Sequence, residues 1–111
     1  MNATPLSSRQ SQAFNEIKQE VNQKFSVKDY ILYGSTARGE ADEESDLDLL
    51  IVTSEALTRF KRHEITDIVF EVNLKFGTNF STLVVDQESW KTGLISVLPL
   101  RNEILRECIR L

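Results

Sequence analysis

Residues 46–53 read Asp-Leu-Asp-Leu-Leu-Ile-Val-Thr, and this run constrains the fold more than any other. A short apolar run rich in Leu, Ile and Val predicts a β-strand. Its period of two puts Asp46, Asp48, Leu50 and Val52 on one face, and Leu47, Leu49 and Ile51 on the other. Two carboxylates therefore sit side by side where the strand begins. Held that close they repel, and a divalent cation relieves the repulsion.

The preceding segment, Asp29-Tyr-Ile-Leu-Tyr-Gly-Ser, is a second short apolar run, and Gly34 stops it. It predicts a buried strand that ends at a glycine turn. Residues 35–45 are small and acidic and predict a turn or short helix followed by a loop. Ahead of both strands, Ser7 or Ser8 can cap a helix whose Phe14, Ile17, Val21 and Phe25 recur at helical spacing. After residue 53, Ser54 predicts the cap of a long helix over residues 55–76. Leu57, Phe60, Ile65, Ile68, Val69, Val72 and Phe76 form its apolar face, and Gly77 stops it. Phe80–Asp86 predicts a third strand. Two short helices follow, over residues 87–95 and 100–111, with Pro99 between them. A helix leading from the second strand to the third allows a crossover. The expectation is a small mixed β-sheet flanked by helices, of the α/β (α+β) class.

The chain has 111 residues, a length that fits one domain over residues 1–111. Its 13 Lys and Arg against 17 Asp and Glu give a net charge of −4, which argues against binding nucleic acid through its phosphate backbone. No apolar run approaches the roughly 18 residues of a membrane helix, and no signal peptide is visible. Cys108 is the single cysteine, so an internal disulfide is impossible and a cytoplasmic location is the simplest expectation. His63, in the basic stretch Arg59-Phe-Lys-Arg-His, has no second His beside which to bind a metal. Tyr33, Trp90 and Cys108 read as packing residues.

The segment from Gly34 to Val52 carries the chemistry. Gly34 and Gly39 have the spacing of a P-loop, but Glu40-Ala41 replaces the Lys-Ser/Thr that a P-loop needs. A strand ending in Gly34-Ser35 exposes backbone N–H groups that no side chain blocks, and the Ser35 hydroxyl adds a donor. If this strand pairs with the next, those donors and the Asp46/Asp48 pair line one pocket. A nucleoside triphosphate with Mg²⁺ would bridge them, because Mg²⁺ prefers one or two carboxylates plus phosphates. Arg38 can contact a triphosphate or brace Asp46 and the acidic loop.

Gly34-Ser35, ten residues, then Asp46-Leu47-Asp48, with Arg38, Gly39 and Ser45 in place, resembles the signature of the polymerase-beta-like nucleotidyltransferase superfamily. It is similar in particular to the minimal nucleotidyltransferase branch. The resemblance implies a nucleotidyltransferase-like fold, Mg²⁺ held by Asp46 and Asp48, and triphosphate contacted by Gly34 and Ser35. It implies transfer of a nucleoside monophosphate from an NTP, ATP foremost, to an acceptor hydroxyl. Many members of that branch resemble the antitoxin half of two-gene modules whose partner is a helical HEPN protein, and this chain shares that expectation. One feature departs from the pattern. Active members usually carry a third carboxylate within the third strand, and here the interior reads Ser81-Thr-Leu-Val-Val. The expected position falls near Leu83, and Asp86, at the strand end, is the nearest acidic candidate. Two rival functions follow: an Mg²⁺-dependent enzyme, or a weakly active or inactive module of the same fold that neutralises a HEPN-like partner by binding it. A nucleic-acid-binding regulator is a third, opposed by the net charge.

Overall fold

The computed structural model describes residues 6–33 and 46–91, and the backbone of residues 109–110. Helix α1 (Ser8–Lys24) is closed at its start by a capping box. The Gln10 backbone N–H donates to Ser7 Oγ (3.1 Å), and the Ser7 N–H donates to Gln10 Oε1 (2.8 Å). Strands β1 (Val27–Tyr33) and β2 (Leu47–Thr53) follow, then helix α2 (Arg59–Phe76), strand β3 (Phe80–Asp86), the short helix α3 (Gln87–Lys91) and strand β4 (Ile109–Arg110). The strands form one mixed sheet in the order β3-β2-β1-β4. β1 runs antiparallel to β2 and β4, whereas β2 and β3 are parallel, joined by the α2 crossover.

Both faces of the sheet are covered, which is why β2 is apolar nearly throughout. On one face α1 and α2 bury Phe14, Ile17 and Val21 together with Ile65, Val69 and Val72 against Leu32, Leu47, Leu49 and Ile51. Phe14 meets Tyr30 edge to face, with ring centroids 5.4 Å apart. On the other face Ile31, Leu50 and Val52 pack with Trp90 of α3. The expected parity of β2 holds, with Leu47, Leu49 and Ile51 on the helical side and Leu50 and Val52 opposite.

Three expectations need correction. The long helix begins at Arg59, with Thr58 as its cap; the Lys61 N–H donates to Thr58 Oγ1 (3.2 Å). Ser54 cannot cap it because it is tied to the sheet. Its N–H donates to Ser26 O, its hydroxyl bonds Ser26 Oγ, and its carbonyl accepts from Gln87 Nε2. Phe60, expected in the apolar face, is 82% exposed, because at about 100° per residue it lies on the opposite side of the helix from the buried Ile65, Val69 and Val72. Residues 109–110 form strand rather than helix: they supply the partner that the outer edge of β1 needs, pairing with Leu32 and Ile31. Residues 92–108, including most of the two expected C-terminal helices and Cys108, lie outside the described residues.

Candidate active site at the mouth of β2

The site is built where β2 enters the sheet. The Leu47 N–H donates to Asn79 O (2.9 Å), which fixes the start of β2 against the start of β3. Asp48 then lies level with Tyr33 on β1 and Ser81 on β3. Neighbours in register share a face, so the Asp48 carboxylate has a phenol on one side and a hydroxyl on the other. Asp46, two residues back and just ahead of the strand, is exposed. Burial first, and the Asp46 charge second, hold the Asp48 carboxyl above its usual range. The Tyr33 phenol is also raised, by burial and then by the Asp48 charge. Both shifts report negative charge crowded at the mouth of β2.

A divalent cation fits that electrostatics. Two carboxylates two residues apart supply oxygen ligands, and their repulsion disappears when a cation binds. Among the described residues no group of three or more acidic, His or Cys side chains is placed to hold a metal, and Mg²⁺ characteristically takes one or two carboxylates together with phosphate oxygens and water. Gly34, Ser35 and Arg38, the expected phosphate contacts, lie outside the described residues, as do Gly39 and Ser45. Gly34 is joined directly to Tyr33, the residue level with Asp48.

The register does not bring Asp86 to the pair. Asp86 lies level with Thr53, five residues beyond Ser81, or about 16 Å along the strand at 3.3 Å per residue. Its carboxylate instead accepts from the Ser89 N–H (2.9 Å) and caps α3. That backbone hydrogen bond, followed by one from the Ser89 side chain, lowers the Asp86 pKa, as expected of a capping carboxylate rather than a crowded metal ligand. Leu83, where the third acid was expected, lies level with Leu50 in the apolar layer. The β3 residue beside Asp48 is Ser81.

A groove of about 420 Å³ adjoins Asp46. It runs between α2 and the start of β3, and Asp46, Thr66, Phe70, Asn73, Ser81 and Thr82 are among the residues that line it. A second, smaller pocket of about 260 Å³, containing Thr53, Arg62, Asp86 and Ser89, lies at the opposite end of β3. Sequence reasoning missed Ser81, Phe70 and Asn73. Ser81 needed the β2/β3 register, which periodicity does not provide. Asn73 had a signal, an amide in the last turn of a helix just ahead of a stop glycine. Phe70 had one too, an aromatic off the core stripe.

The family model for the nucleotidyltransferase domain matches residues 14–109. The chain belongs to the nucleotidyltransferase domain family. Within it, a Methanocaldococcus jannaschii protein that carries the name protein adenylyltransferase is 38% identical over 95 residues. The match takes in 82% of this chain and 63% of that relative, so this chain spans less than two thirds of the relative's length. A solved minimal nucleotidyltransferase superposes with a TM-score of 0.59 at 24% identity, covering 91% of this chain and 90% of the other. A toxin–antitoxin crystal structure with AMP-PNP gives 0.58 at 15% identity, over 86% of this chain and 69% of the other. Both share the α+β fold described above.

Proposed function

We propose that the chain is an Mg²⁺-dependent nucleotidyltransferase that moves a nucleoside monophosphate, from ATP foremost, to a hydroxyl on a protein partner. The observation that carries this reading is the crowded Asp46/Asp48 pair at the mouth of β2 in a chain of this family. Asp46 and Asp48 hold Mg²⁺, which, when bound, offsets the charge of the triphosphate and of the departing pyrophosphate. Gly34 backbone donors and the Ser35 hydroxyl hold phosphate oxygens, with Arg38 as a further cationic contact. The acceptor oxygen forms a bond to the α-phosphorus. The bond from that phosphorus to the oxygen bridging to the β-phosphorus breaks, and pyrophosphate leaves with the electron pair. The hydroxyl proton passes to a carboxylate of the pair.

The acceptor is a protein because the named adenylyltransferase relative points that way. A HEPN-family helical partner is the specific form of that reading, supported by the toxin–antitoxin neighbours. The reducing cytoplasm suits a chain with a single cysteine. A second reading has its own observation: Ser81, not an acid, lies beside Asp48. On that reading the fold binds and neutralises a HEPN-like partner with little or no transfer. The two separate on one experiment, in which Asp46→Asn is combined with such a partner. Loss of neutralisation with the complex intact supports transfer; neutralisation unchanged supports binding alone.

A further inference from the structure

Among the described residues the outer edge of β3 has no neighbouring strand along the stretch that borders Asp46. The carbonyls of Asn79 and Val85 face β2, since the first accepts from the Leu47 N–H and the second lies 3.4 Å from Thr53 Oγ1. Main-chain groups alternate along a strand, so those of Phe80, Thr82 and Val84 face outward. Phe80 is already satisfied. Asn73 of α2 imitates a neighbouring strand, accepting from the Phe80 N–H at Oδ1 (2.9 Å) and donating to the Phe80 carbonyl through Nδ2 (3.0 Å). Thr82 and Val84 come next, and among the described residues no strand lies beyond β3 to take their groups.

The strand itself carries none of the residues that usually protect an edge. Phe80–Val85 contains no charge and no proline. The groove beside it carries Phe70, 60% exposed, and one turn further along the helix Leu74 is 69% exposed. Asp46 lines the same groove and is the single charged residue among the described residues of its lining.

We propose that the acceptor docks as an extended polypeptide segment on the outer edge of β3, extending the sheet by one strand. The proposal rests on the nucleotidyltransferase reading and specifies its substrate. Main-chain bonds to Thr82 and Val84 hold the segment, and alternate side chains point to opposite faces. An apolar side chain on the helical face rests on Phe70. The residue next to it points to the face of Ser81 and Asp48 and carries the hydroxyl. That segment lies two strand spacings from β2, about 10 Å. The interval accommodates the nucleotide that the Asp pair holds between them. The hydroxyl oxygen then bonds to the α-phosphorus as pyrophosphate leaves, with its proton passing to the pair.

The test uses the full chain, saturating MgATP labelled at the α-phosphate, and an array of end-capped heptapeptides each carrying one Ser, Thr or Tyr. Labelling is expected to concentrate on peptides with an apolar residue beside the hydroxyl residue. In such a peptide, methylating main-chain nitrogens one at a time is expected to cut labelling about tenfold at alternate positions and to spare those between. Phe70→Glu, at an exposed position that folding does not need, is expected to cut it about tenfold as well. Sensitivity to methylation every three to four residues, or none, overturns the proposal, as does unchanged labelling by Phe70→Glu. A wild type that binds MgATP and labels no peptide overturns the docking mode and leaves the nucleotide site standing. A wild type that binds no MgATP overturns the nucleotide reading and the proposal with it. A dimer that Phe70→Glu dissociates assigns the edge to a second copy and also overturns it.

Discussion

Asp48 sits where burial and the Asp46 charge both oppose its ionisation. Its folded pKa is raised, so the folded chain holds that proton more tightly than the unfolded chain. The ionised carboxylate therefore costs stability above its raised pKa, and the cost fades as pH falls through it. In EDTA at neutral pH, Asp48→Asn is expected to raise the melting temperature by about 1–3 °C, a partly exposed group counting for less than a buried one. The gain should vanish near pH 3, and a thermal scan at the two pH values checks it. Asp86 has the opposite sign. Its pKa is lowered by the Ser89 N–H, so its stabilisation is present above the unfolded carboxylate pKa and lost as pH falls. Asp86→Ala should cost about 1 kcal/mol in urea unfolding, and Asp86→Asn only a few tenths, because Asn also caps. Neither should alter MgATP binding, since Asp86 lies at the far end of β3 from Asp48. The Asp46/Asp48 pairing was legible in the sequence, because a period of two places the residues without reference to any other strand. The placement of Asp86 was not, because it depends on how β3 is registered against β2.

At the scale of elements, helix ends carried the clearest sequence signals and one misleading one. Gly77 ends α2 in the left-handed region, with φ of 67°, and its N–H donates to Asn73 O (2.8 Å). A Cβ added there would meet nothing closer than Arg9 Nη1 at 3.9 Å. Gly77→Ala should therefore cost about 1 kcal/mol from backbone strain alone, read from the denaturant midpoint. Asn73 joins α2, the turn after it and β3 through hydrogen bonds with Thr78 Oγ1 and with both main-chain groups of Phe80. Asn73→Leu keeps the volume and removes all three, and is expected to cost about 2–4 kcal/mol in the same measurement. Ser54 misled because Ser and Thr cap helices equally well in sequence. The choice of Thr58 is made by Ser26 and Gln87, which occupy Ser54. β4 was illegible because Ile109 and Arg110 match a helical stripe and a strand equally well over so short a span, and the open edge of β1 decides between them.

At the scale of the molecule, the two helices that carry the apolar stripes cover one sheet face, while Trp90 of α3 packs on the other. The mouth of β2 is held by strands on both sides, with Asp48 inside the sheet and Asp46 immediately ahead of the strand. Such a site holds two like charges side by side, an arrangement that a bound cation and phosphates make favourable. The most direct measurement is calorimetric titration of ATP into the full chain, with Mg²⁺ and with EDTA, for the wild type and for Asp46→Asn/Asp48→Asn. Binding by the wild type that requires Mg²⁺ and disappears in the double variant is the expected result. Wild-type binding that is equal in EDTA, or that survives in the double variant, would contradict a metal–nucleotide site at Asp46 and Asp48.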